Sequence, residues 1–180
     1  MTPLTPDMTI LGLIAIQSCH GYELVESFHR SADLGDVWKM STSQVYAVLK
    51  RLERQHLITG QVIEVPDAPR RTEYRLTDAG EQRLYTWLHD PVPSPSIRRV
   101  RVEFLSRLYI ARQLNIPTAP IVRRQRAACA AERARLTAAQ AESAVGISYL
   151  AQALVIAQLD AVLGWIQRCE LVPDDREDEE

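Results

Sequence analysis

The residues best suited to chemistry in this chain gather at two places. Ser41-Thr42-Ser43-Gln44 leads into a run in which Tyr46 and Lys50 share a polar side, and Arg70-Arg71 close a turn-rich segment. Hydroxyls at a helix start, with the free backbone N–H groups there, suit phosphate oxygens. Glutamine suits adenine, lysine suits guanine or phosphate, and tyrosine offers a hydroxyl and an apolar ring. Paired arginines on a protruding loop suit the minor groove, where the potential is most negative over narrow A·T tracts. The combination points to double-stranded DNA. Each group also has a plainer reading: a solvated helix face for Lys50, Arg51 and Arg54, and ordinary loop charge for Arg70 and Arg71.

Catalytic chemistry is not indicated. His20, His29, His56 and His89 have no paired spacing for a metal, and the adjacent Cys19 and His20 lack further ligands. Seven glycines are scattered with no phosphate-cradling loop among them. The expectation is no enzyme, no catalytic residue, no metal and no cofactor. Cys19, Cys129 and Cys169 are far apart and odd in number, which suits a reducing cytoplasm. They read as small apolar residues on helices, with a redox-sensing thiol as the alternative.

The elements that must position these groups follow from periodicity. Thr5-Pro6-Asp7 starts a helix whose Ile10, Leu11, Leu13, Ile14 and Ile16 are apolar nearly all round, so it is buried. A second helix covers Gly21 to Ser31, with Leu24 and Phe28 inward. The third is best marked. Ser41 and Gln44 form a capping box, and Val45, Val48, Leu49 and Leu52 make one apolar stripe. Ser43, Ala47, Lys50 and Arg54 lie opposite. After Gly60 the period becomes two, so residues 61–65 and 71–76 read as paired strands. Pro66-Asp67-Ala68-Pro69 makes their turn, and Thr77-Asp78 caps a fourth helix with Leu84, Trp87 and Leu88 inward. The fold class is mainly α: a winged helix-turn-helix (α-α-α-β-wing-β-α) followed by a helical domain.

Three prolines within Pro91–Pro95 mark a connector. The domains are then 1–90 for DNA binding, 91–96 as linker, 97–172 as a C-terminal helical dimerisation domain, and 173–180 as an acidic disordered tail. Ile97, Val100, Phe104, Leu108 and Ala111 share one side of a helix ended by Asn115-Ile116-Pro117, and Thr118 with Pro120 starts the next. The last helix, over 145–171, carries Val145, Tyr149, Ile156, Leu159, Leu163 and Ile166 on one side. Ile147, Leu150, Leu154, Ala157 and Trp165 lie on another. A small appendage covers one such face itself; a second copy of the chain covers the other.

With 180 residues, 46% of them apolar and 24% charged, the chain is long enough for one or two soluble domains without disulfides or metal. Thr2 to Asp7 carries no positive segment of a signal peptide, and the uncharged stretch from Ser143 to Leu159 reads as short of a membrane span. A net charge of -2 argues against DNA, but the charge is segregated. Residues 91–136 hold ten Lys and Arg against two Asp and Glu, while residues 137–180 hold two against nine. Arg98, Arg99, Arg101, Arg107 and Arg112 are therefore expected to pair with the 137–180 segment.

The stretches Ile10-Leu11-Gly12-Leu13-Ile14 and His20-Gly21-Tyr22-Glu23-Leu24 resemble the PadR family of transcriptional regulators. So do Tyr46-Ala47-Val48-Leu49-Lys50-Arg51-Leu52-Glu53, Leu57-Ile58 and Tyr74-Arg75-Leu76-Thr77-Asp78-Ala79-Gly80. The resemblance covers residues 8–90 in order. It implies a dimeric winged-helix protein, usually a repressor, paired through its C-terminal helices and released from DNA by small aromatic compounds. It adds Tyr22 to the DNA-binding set. Trp87, Tyr149 and Trp165 become candidates for an effector pocket, with ordinary core aromatics as the competing reading. The chain departs from the family at Gln44-Val45-Tyr46-Ala47, where Ser-Leu-Tyr-Pro is common, so base preference does not transfer. His56 stands where glycine is usual, which demands a left-handed turn that histidine tolerates. The expected function is a cytoplasmic, homodimeric, ligand-responsive repressor on a pseudo-palindromic operator, with no membrane partner. The alternatives are a winged-helix module that binds protein without sequence-specific DNA binding, and an effector-independent activator.

Overall fold

The computed structural model describes residues 4–30, 34–64 and 71–169. The chain divides into two compact units. One comprises Met1–Asp90 with Leu105–Ile116, and the other Pro91–Phe104 with Pro117–Glu180. The wing-tip residues 65–70 and the acidic 173–180 segment lie outside the described residues.

In the first unit, α1 (Asp7–Ile16) is buried through Ile10, Leu11, Leu13 and Ile14, as a helix apolar on every side must be. It is followed by β1 (Cys19–His20), α2 (Gly21–Ser27), α3 (Thr42–Arg54), the hairpin β2 (Ile58–Ile63) and β3 (Arg71–Leu76), and α4 (Asp78–Leu88). The second helix is shorter than read from sequence, because Phe28, His29 and Arg30 close it with turn hydrogen bonds back to Val25 and Glu26. The sheet has three antiparallel strands in the order β1-β3-β2. Ile58 pairs with Leu76 and Ile63 with Arg71, so pairing starts three residues before the alternation in the sequence. The third strand is new: Cys19 faces Tyr74 and His20 faces Glu73. That extra strand supports a hairpin that would be marginal alone. His56 adopts the left-handed turn, with φ of 55°, and its carbonyl accepts a 2.7 Å hydrogen bond from the Thr77 hydroxyl.

The helix α6 (Leu105–Gln113) packs with this first unit, although its sequence position groups it with the second half. Gly12 explains the fit. A Cβ there would lie 2.7 Å from Ile110, so only glycine lets α6 close on α1. Arg107 is buried; its Nη2 donates to Asp90 Oδ2 at 3.0 Å and its guanidinium sits 5.2 Å from the centre of the Trp87 ring.

The second unit holds α5 (Ile97–Arg99), a π-helical turn (Val100–Phe104), α7 (Ala119–Ala141) and α8 (Ile147–Cys169). The expected uninterrupted helix from Ile97 is thus broken by an inserted residue, which brings Val100, Val102 and Phe104 all to the inside. The proline segment is no free linker: buried Gln125 donates to the Ser94 carbonyl at 3.0 Å. Arg99 pairs with Glu103 at 2.6 Å. Neither Arg99 nor Arg107 therefore meets the 137–180 segment in these pairs: Arg99 takes Glu103 one turn on along its own helical segment, and Arg107 takes Asp90, 17 positions back. Helices α7 and α8 run antiparallel, pinned by Arg133 on Asp160 and by Gln140 on the Tyr149 carbonyl. On α8, Leu159 and Ile166 face inward, while Ile147, Leu150, Leu154 and Ala157 are exposed. Trp165 differs from its expected place on that open face. It is half-buried, edge-on to Phe104 with centroids 5.9 Å apart. The helix, at 23 residues, is long and apolar enough to cross a membrane by length and composition alone, and it runs past the end of the uncharged stretch at Leu159.

Candidate nucleic-acid interface

The candidate interface centres on α3. Its buried stripe is the expected one, Val45, Val48, Leu49 and Leu52. Burying these four turns the opposite side outward, and Ser41, Thr42, Ser43, Gln44, Ala47, Lys50 and Arg54 are all exposed. The N-terminus carries the complete capping box. Ser41 Oγ accepts from Gln44 N at 3.3 Å, and Gln44 Oε1 accepts from Ser41 N at 2.8 Å. Ser43 Oγ lies 3.0 Å from Ser41 Oγ. The cap has a chemical consequence. A glutamine that reads adenine needs its carbonyl oxygen and its NH2 together, and here the oxygen serves the helix. Bidentate reading by Gln44 requires the box to open, at a cost of about 1 kcal/mol.

Tyr46 is 39% exposed. Its ring rests on the first residue of α2: a Cβ on Gly21 would be 2.7 Å from Cε1 and 2.9 Å from the hydroxyl. Tyr46 is therefore a spacer between two helices as well as an exposed edge. The signal for this was present in the glycine before Tyr22, but it needed a partner 25 positions away. Tyr22 itself is 53% exposed in the first turn of α2. It edges a groove of about 320 Å³ shared with Leu13, Cys19, Glu23 and Tyr109.

Three arginines of the site have distinct environments. The sequence suits Arg51 to a solvated helix face, yet its Nε and Nη2 donate to the two oxygens of Asp7, each at 2.7 Å. Burial raises the Asp7 carboxyl, but the hydrogen bonds and charge of Arg51 outweigh it and hold the carboxyl below its ordinary range. Arg54 turns back on its own helix, Nε to the Lys50 carbonyl at 3.2 Å. Arg71 is exposed at the first residue of β3, opposite Ile63. Arg70 falls outside the described residues. The wing is tied to α2 by His20, whose Nδ1 lies 3.3 Å from the Thr72 carbonyl.

The remaining candidates are placed as follows. Trp87 lies under Arg107 in the first unit, and Tyr149 and Trp165 lie on α8 in the second. Sixteen residues of helix separate the latter two, roughly 24 Å at 1.5 Å per residue, so one small-molecule pocket does not hold both. Cys19 is buried beside Glu23 and Glu73, and its thiol is pushed up to about 12, first by burial and then by those charges. Burial also raises the Cys129 thiol. Among the described residues no group of three or more His, Cys, Asp or Glu could hold a metal ion.

The chain was compared with family models, curated proteins and solved structures. Residues 10–86 match the Transcriptional regulator PadR-like family. The negative transcriptional regulator PadR of Bacillus subtilis is 33% identical over 102 residues, covering 56% of this chain and 53% of that protein. A Mycobacterium tuberculosis protein named as a probable transcriptional regulator is 28% identical over 83 residues, covering 46% and 43%. The chain spans about half the length of these curated relatives. Among solved structures, Bacillus subtilis PadR in complex with operator DNA aligns over 91% of this chain and 94% of that one, at 23% identity and a TM-score of 0.44. The same protein in complex with p-coumaric acid aligns over 91% and 92%, at 24% identity and a TM-score of 0.40.

Proposed function

Since residues 10–86 match the transcriptional regulator PadR-like family, we propose that the chain is a member of it and binds duplex DNA through the outer face of α3 and the wing. The observation that carries this reading is the strict two-sidedness of α3: four buried aliphatic residues on one side, and Ser43, Ala47, Lys50 and Arg54 in one exposed row on the other. A helix so divided enters a major groove side-on with its first turn at a phosphate. Residues 1–90, completed by α6, form the DNA-binding part in this reading.

The protein acts as a homodimer. Ile147, Leu150, Leu154 and Ala157 make an exposed apolar row at helical spacing on α8. An unpartnered row of this kind is best covered by its own copy across a two-fold axis. Two α3 helices then read half-sites about 34 Å apart on a pseudo-palindromic operator. Repression is the favoured sign, on the name of the 33%-identical relative. Release by a small aromatic effector and a cytoplasmic location complete the reading.

The test is a salt titration of binding to a duplex selected by the protein from a random library. Binding through phosphates weakens steeply as salt rises, and footprinting on the same duplex shows two protected half-sites. Binding that ignores salt, or no selected duplex at all, would leave a protein-binding module in its place.

A further inference from the structure

The segment from Leu34 to Ser41 delivers the chain to α3 without regular secondary structure. Its local ties are short-range: Val37 N and Trp38 N both donate to the Leu34 carbonyl, and Lys39 Nζ donates to the Gly35 carbonyl. One bond reaches much further. Trp38 Nε1 donates to Ser106 Oγ at 2.9 Å, across 68 positions of sequence. Ser106 is fully buried on α6, so water does not compete for its oxygen. Helix α6 is itself fixed in the first unit, by Ile110 over Gly12 and by Arg107 on Asp90 and Trp87. Trp38 lies three residues before Ser41, the cap of α3.

We propose that Trp38 and Ser106 are positioning residues for DNA reading: the indole-to-hydroxyl bond sets where the capped first turn of α3 stands against the duplex. This rests on the reading of α3 as the DNA-binding helix. The two residues touch no DNA. Their effect is on geometry at Ser41–Gln44, so it falls on sequence-specific binding and spares binding that uses phosphates alone.

Trp38→Phe removes the indole N–H and keeps most of the ring, Ser106→Ala removes the acceptor, and Ser106→Thr keeps it. Each full chain is titrated by fluorescence anisotropy against the selected duplex and a scrambled duplex of equal length, well below its unfolding midpoint. The two disruptive variants should each bind the selected duplex about fivefold more weakly, the factor expected for one ordinary hydrogen bond. The double variant should be no worse than either single one. Ser106→Thr should bind as the parent does, and affinity for the scrambled duplex should be unchanged throughout. Hydrogen exchange without DNA gives a second arm, in which Trp38→Phe should speed exchange at the Gln44 amide. Parental affinity in both disruptive variants, additive losses, or equal losses on both duplexes would overturn the proposal. If the parent selects no duplex, the DNA reading fails separately, and unchanged exchange at Gln44 would then reject the positioning role by itself.

Discussion

Arg51→Met should cost stability and leave DNA binding nearly intact, while Lys50→Ala, one residue away, should do the reverse. Arg51 makes two 2.7 Å bonds to Asp7, whose side chain is 12% exposed, while Arg51 is 37% exposed. Hydrogen bonds to charged groups contribute roughly 1.5–3 kcal/mol each. Halved because Arg51 is open to water, the pair gives about 1.5–3 kcal/mol lost in Arg51→Met. Asp7→Asn should cost less, about 1–2 kcal/mol, since the freed guanidinium reaches solvent and the buried carboxylate is gone. The pH dependence follows from the carboxyl. Its folded pKa lies below the ordinary 3.8, so the contribution is complete above that value and is lost as pH falls through the lower folded one. Urea unfolding followed by tryptophan fluorescence should thus separate Arg51→Met from the parent at pH 7 and bring the two together in strong acid. Lys50→Ala should unfold within about 0.5 kcal/mol of the parent. Its slope of log affinity against log salt should be shallower by about 1 per protomer. If Arg51→Met flattened that slope as much as Lys50→Ala does, with no change in urea midpoint, the assignment of Arg51 to Asp7 would be wrong.

Three further outcomes are expected. Ser41→Ala removes the acceptor for Gln44 N and should destabilise the protein by about 1 kcal/mol in the same urea assay. Leu150→Glu with Leu154→Glu places charge on the open row of α8 and should give a monomer in sedimentation velocity, with weaker operator binding and little change in helical content. Cys19, with its thiol pushed up to about 12, should resist iodoacetamide at pH 8 in the native protein and react once urea unfolds it, as read by peptide mass spectrometry.

Local rules made much of this molecule readable. The stripe of Val45, Val48, Leu49 and Leu52 and the Ser41–Gln44 box depend on neighbours within one or two turns, and both appear where periodicity puts them. The turn at His56 was readable for the same reason. The open row of α8 was equally plain, except at Trp165, where a ring from another element decided the outcome. What stayed hidden depends on distance along the chain. A two-residue strand at Cys19–His20 has no alternation to detect and exists only because β3 passes beside it. The Arg51–Asp7 pair spans 44 positions and Trp38–Ser106 spans 68. The π turn changes the phase of a helix without changing its composition, so no count of apolar residues reveals it.

The return of Leu105–Ile116 to the first unit limits how the molecule can be divided. A fragment cut at the prolines after Asp90 would strip α1 of the Ile110 side chain seated on Gly12 and leave a greasy scar on its surface. Chimaeras that graft the first unit onto another body must therefore carry α6 with it, joining the new body on both sides of that helix. Exchange of parts between proteins built this way is constrained to three crossover points, after Asp90, before Leu105 and after Ile116, where the proline-rich sequence advertises one.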